Sequence, residues 1–167
     1  MPQGPDPTSA ADLDTATLLS LAGTVANDAV LSALRAHGID LRPAHGYVFQ
    51  RLLTGEQSIT DLAADLGMTQ QGASKHVLEL ERMGMVTRVV SPDDRRARHV
   101  RLTDAGHKAI AVARDARGAF EERLRTLWGD DLLRATRDAL VALLDDEGIS
   151  AQIAGREIPW SRRSSGE

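Results

Sequence analysis

The 167-residue chain is 42% apolar and 26% charged, carries a formal net charge of -4 and contains no cysteine. Its length supports one well-buried core and cramps a second, and the missing thiols exclude disulfides, cysteine nucleophiles, thiol redox sensing and thiolate metal sites. No run reaches the roughly 20 apolar residues of a membrane span, and residues 1–12 lack the basic start and apolar centre of a secretion signal, so the expected location is the cytoplasm.

Residues 1–12 hold three prolines among small and polar residues and are expected to form a disordered arm. Over 15–37 apolar residues recur at helical spacing. Leu18, Ala22, Val25, Ala29 and Ala33 share one broad face, flanked by Leu19, Ala26, Val30 and Leu34. A stripe that wide requires more than one neighbour. Gly38 can end this helix and Pro43 suits the first turn of the next, which carries Tyr47, Val48, Phe49, Leu52 and Leu53 before Gly55. Ser58-Ile59-Thr60-Asp61 has the form of a capping box, with Asp in place of the usual Glu. The short helix that it opens stops at Gly67. Thr69 caps another, whose buried side is Ala73, Val77, Leu80 and Met83. After Gly84 the period changes: 85–90 is rich in β-branched residues and 98–102 alternates around His99 and Val100, which predicts a hairpin with a charged tip at 91–97. Thr103 then caps a long helix to about Trp128, Asp130 opens a last one through Leu133, Leu140 and Leu144, and 146–167 is expected to be a mobile tail.

Helix, turn, helix and basic hairpin in that order describe a winged helix-turn-helix, a shape that fits DNA. The total charge is acidic, but a partner feels only the field within about 10 Å at moderate salt. Between residues 69 and 108 there are eight Lys or Arg against five Asp or Glu, whereas the remainder carries 12 against 19. On the helix capped by Thr69, the side opposite the apolar one presents Gln70, Gln71, Ser74 and Lys75 near its amino end. Glutamine can pair bidentately with adenine, lysine can donate to guanine, and serine can serve a base or a phosphate. In the hairpin Arg88, Arg95, Arg96, Arg98 and Arg101 face only Asp93 and Asp94, a composition suited to phosphate and minor-groove contact. Each feature alone has a plainer explanation, a solvated helix face and an incidental charge run. Their adjacency favours DNA.

Asp94-Arg95-Arg96-Ala97, followed by Val100-Arg101-Leu102-Thr103-Asp104-Ala105-Gly106, resembles the wing and the following helix start of MarR-family transcriptional regulators. The stretch 59–86 is similar to that family's helix-turn-helix, and the leading and trailing helices are similar to its dimerisation region, so the resemblance covers roughly 18–144. It implies an α+β, predominantly helical winged-helix homodimer, with 13–40 and 103–145 as the dimerisation region and 41–102 as the DNA-binding lobe. It also implies a palindromic operator read by Thr69, Gln70, Gln71, Ser74 and Lys75, with Arg88, Arg95, Arg96 and Arg98 on the wing and Asp94 holding the wing in shape. Family members commonly repress transcription until a small, often aromatic, anionic molecule binds between the dimer region and the DNA-binding lobe. Candidates to line such a pocket are His45, Tyr47 and Arg117, with a satisfied core or interface role as the plainer alternative for His45 and Tyr47. Arg117 interrupts the apolar stripe Ile110, Ala113, Phe120, Leu124 and Leu127, where it would receive either a ligand anion or an ion-pair partner.

Enzymatic chemistry would require a nucleophile with its base, a metal cluster or a phosphate loop. His37 with His45, and His99 with His107, are each eight apart with no ligand pattern between them. No Gly-rich phosphate loop or Gly-x-Ser-x-Gly elbow occurs. The expectation is a regulator without catalytic residues, metal or cofactor. A winged-helix dimer that binds a protein partner, or DNA without sequence specificity and without an effector, remains the alternative.

Overall fold

The structure, a computed structural model, describes residues 9–90 and 98–149. Ser9 caps one 3-10 turn, Ala10–Asp12, by accepting the Ala11 amide. Helix α1, Thr15–Ala36, starts on the carboxylate of Asp14, which accepts the Thr17 amide and hydroxyl; these bonds hold its carboxyl below the usual carboxylate range. Helix α2 runs Pro43–Leu52 with its proline in the first turn, where a missing N–H is harmless. Strand β1, Gln57–Ser58, leads into α3, Ile59–Asp65, and the Ser58 hydroxyl both accepts the Asp61 amide and donates to the Asp61 carboxylate. Thr69 caps α4, Gln70–Arg82, by accepting the Gly72 amide.

Strands β2, Val86–Val90, and β3, Arg98–Leu102, form the expected hairpin. The sheet order is β1-β3-β2, all antiparallel, with Val86 opposite Leu102, Arg88 opposite Val100 and Gln57 also opposite Val100. The two-residue strand β1 was not anticipated, because two residues carry no readable alternation. Helix α5, Asp104–Asp146, is capped by Thr103 and broken at Gly129, whose φ of 75° and ψ of 166° no side-chain-bearing residue adopts readily. The break lies where Asp130 was expected to open a new helix. Arg137 Nη1 then reaches back 3.0 Å to Glu121 Oε1, so the second segment folds against the first.

The core lies inside the α2, α3, α4 and sheet lobe: Val48, Phe49, Leu52, Leu62, Val77, Leu80, Val86 and Val100 are all buried. It continues through Leu34 to Ala109, where α1 meets α5. Outside the lobe the helices are short of partners. Leu21 is 50% exposed and Val25 52% on α1, and Leu127 is 64% exposed on α5. Helix α1 is also long and apolar enough to cross a bilayer, at a mean hydropathy of 1.3. That departs from the reading of the sequence. Ala22, Ala26, Ala29 and Ala33 raise the average without forming a conspicuous run of bulky residues.

Candidate nucleic-acid interface

Helix α4 carries the candidate interface, and its two sides are chemically distinct. Ala73, Val77 and Leu80 are buried in the lobe, while Gln70, Gln71 and Lys75 are exposed and Ser74 is partly so. The turn through Gly67 and the Thr69 cap bring the amino end of α4 to the surface beside α3. Three of the expected residues prove to have intramolecular duties. The Thr69 hydroxyl is engaged at the helix start, Gln70 Nε2 donates to Thr60 Oγ1 at 3.1 Å, and Arg88 Nε lies 3.3 Å from Glu81 Oε2. Gln71, Ser74 and Lys75 therefore form the open part of the face. Thr60 enters the site only through Gln70, a link that sequence spacing does not show. Arg98 is exposed at the start of β3, whereas Asp94, Arg95 and Arg96 lie outside the described residues.

Behind this face α4 is fastened to α2 by a polar cluster. The Arg42 amide donates to His45 Nδ1 at 3.2 Å, which leaves the ring proton on Nε2, 3.2 Å from Glu79 Oε2. The Arg42 guanidinium pairs with that same oxygen. His76 packs its ring edge-on to His45 with centroids 5.8 Å apart, and its Nδ1 lies 4.0 Å from Glu79 Oε2 without a hydrogen-bond partner. His45 is 2% exposed. Its pKa falls to about 4, first because burial disfavours the cation and then because Arg42 and His76 add positive charge; burial lowers His76 as well, aided by Arg42 and Lys75.

A stability consequence follows for His45. Its native state is neutral between about pH 6.5 and about pH 4, while the unfolded chain takes up a proton across that window. The contribution is complete above pH 6.5 and is lost as the pH falls, by up to about 3 kcal/mol. Urea midpoints at pH 7.5, 5.5 and 4.5 should fall more steeply for the native chain than for His45→Gln. Parallel slopes would refute this.

A cavity of about 220 Å³ lies between α1, α2 and α5. Tyr47 and Arg117 line it with Asn27, Val30, Leu31 and Ile110, and burial raises the Tyr47 pKa. His45, expected on the same wall, does not line it. Its ring projects from the opposite side of α2 into the contact with α4, where Arg42 and Glu79 satisfy both nitrogens.

Residues 39–97 match the family model of the MarR family. Over that stretch the chain resembles MarR-family proteins, and its fold is a winged helix. CouR, a transcriptional repressor bound to a 23-mer DNA duplex, is 28% identical to this chain, with a TM-score of 0.61 over 80% of this chain and 91% of its own. A MarR-family transcriptional regulator from Rhodococcus sp. RHA1 is 25% identical, with a TM-score of 0.56 over 82% and 97%. A MepR mutant of S. aureus bound to an oligodeoxyribonucleotide shares the fold at 19% identity, with a TM-score of 0.59 over 81% and 99%. No curated protein matches the chain. MarR-family proteins are transcriptional regulators, and the mainly helical α+β fold of this chain agrees with that likeness.

Proposed function

We propose that the protein is a cytoplasmic homodimeric repressor that binds a palindromic promoter site and is released by a small aromatic anion. The observation that carries this reading is the open face of Gln71, Ser74 and Lys75 at the amino end of a helix whose opposite side is core. An α-helix so presented enters the major groove, and its first two turns reach base edges. Two copies related by a twofold axis place two such helices about 34 Å apart, one DNA turn, which requires an operator of matching symmetry. Thr69 and Gln70 shape the entry of α4. Arg88, Arg95, Arg96 and Arg98 on the wing hold phosphates and the minor groove, with Asp94 ordering the wing tip. The DNA-bound states of CouR and the MepR mutant support this reading.

The exposed apolar faces of α1 and of α5 beyond Gly129 supply the dimer surface, with 13–40 and 103–145 forming the dimerisation region and 41–102 the DNA-binding lobe. The effector would occupy the cavity lined by Tyr47 and Arg117, where a guanidinium can receive a carboxylate or phenolate beside an aromatic ring.

Titration against the upstream intergenic DNA and an unrelated duplex at two salt concentrations tests the reading, with a protected palindrome expected by footprinting. Lys75→Ala or Gln71→Ala should cost about 1–3 kcal/mol on the preferred site and relax its base preference. Arg96→Ala should weaken binding to every duplex and reduce the salt slope by about one. Equal losses on operator and random DNA for all three variants would refute these roles.

A further inference from the structure

Glu79 Oε2 is an unusual point of convergence. It bonds to Arg42, lies 3.2 Å from His45 Nε2, and faces His76 Nδ1, a nitrogen shielded from solvent and lacking any hydrogen-bond partner. The donor atoms of His45, His76 and Glu79 all fall within 4.8 Å of one another. Donors on one tetrahedral zinc ion, with bonds of about 2.0–2.1 Å, stand about 3.3 Å apart, so closure requires inward shifts of about an ångström or less. Two imidazoles and a carboxylate with a fourth position left for solvent form a donor set suited to zinc and its neighbours. We infer that His45, His76 and Glu79 form a binding site for a divalent transition-metal ion of the zinc class, which fastens α4 to α2 and takes the place now held by the Arg42 guanidinium.

Two features of the site favour an ion. Both imidazoles are held neutral by their surroundings, the form that coordinates. Arg42 is a replaceable occupant: its side chain is 57% exposed, so it can swing into water at little cost. One adjustment is required at His45. A metal on Nε2 moves the ring proton to Nδ1, which gives up the bond from the Arg42 amide, a loss of the size of one ordinary hydrogen bond. That amide belongs to the residue before α2, where solvent can replace the lost acceptor. His76 gains most, because coordination satisfies its unpartnered nitrogen.

The test is a titration of the full-length protein with Co2+, read by the visible bands of tetrahedral cobalt, followed by competition with Zn2+. One equivalent per protomer is expected, with a higher melting temperature in Zn2+. His76→Gln should weaken binding by at least about 100-fold and abolish the melting shift, because a direct ligand is lost. Arg42→Ala should tighten binding, since the ion no longer competes with a guanidinium. Glu79→Gln, close to isosteric, provides a second loss of ligand should His76→Gln unfold. Binding that survives both ligand substitutions puts the ion elsewhere and overturns the site. So does an absence of cobalt bands in the native chain, or an Arg42→Ala variant that binds more weakly.

Discussion

Gly106→Ala should lower the unfolding free energy by about 3 kcal/mol, whereas Gly118→Ala, one helical stretch further along α5, should leave it unchanged or raise it slightly. A Cβ on Gly106 would lie 2.2 Å from the Met85 carbonyl oxygen and 3.1 Å from Leu102 Cδ2. The oxygen belongs to the backbone and cannot rotate away. It also accepts the Thr103 amide at 3.0 Å, while the Thr103 hydroxyl donates to Gly84 at 2.6 Å and accepts the Gly106 amide. Relieving the clash therefore separates the start of α5 from β2 and strains the Thr103 cap as well. Overpacking of this kind costs about 1–3 kcal/mol, with a rigid backbone neighbour at the upper end. Beyond the backbone of its own helix and its chain neighbours, Gly118 has no atom of the described residues within 4 Å of the added carbon, so alanine there gains helix propensity, up to about 1 kcal/mol. Urea unfolding of both variants decides the matter. Similar midpoints would show that α5 does not sit on Met85 as closely as described.

Leu21→Asp combined with Val25→Asp should convert the protein to a monomer and lower operator affinity by about 100- to 10,000-fold. Both positions are about half exposed within one protomer, and surface substitutions on an isolated chain usually change stability by about 0.5 kcal/mol or less. If α1 faces a second copy instead, two carboxylates per protomer enter an apolar contact without partners, a penalty of several kcal/mol that a dimer interface does not tolerate. Loss of the dimer then removes the second half-site contact, an avidity worth about 10²–10⁴ in affinity. Sedimentation equilibrium gives the mass and a DNA titration gives the affinity. A variant that keeps twice the 18.0 kDa protomer mass would exclude α1 from the interface.

Much of the local structure was readable because single residues announce it. Ser58, Thr69 and Thr103 each cap the helix expected of them, Pro43 begins α2, and the shift from helical to alternating spacing after Gly84 locates the hairpin. The open part of the α4 face was readable for the same reason, since Ala73, Val77 and Leu80 fix which side is buried and leave Gln71 and Lys75 on the other. What escaped was made by contacts between distant segments. His76 and Glu79 are one turn apart, but His45 joins them only when α2 packs across α4, 34 residues from Glu79 in the chain. The same packing turned His45 away from the cavity that Tyr47 lines two residues later. Gln70 looked free because its acceptor, Thr60, belongs to the preceding helix.

Helix α2 is only ten residues long, and its two sides serve different neighbours: Tyr47 borders the cavity shared with α1 and α5, while His45 grips Glu79 on α4. It is in effect a rigid rod with a load at each side. A molecule pressing on the Tyr47 side has no soft loop in which to dissipate its push, because Val48, Phe49 and Leu52 lock the rod into close-packed core. A displacement of α2 by a bound molecule would therefore reach α4 both through that core and through Glu79, at the helix whose open face holds Gln71 and Lys75.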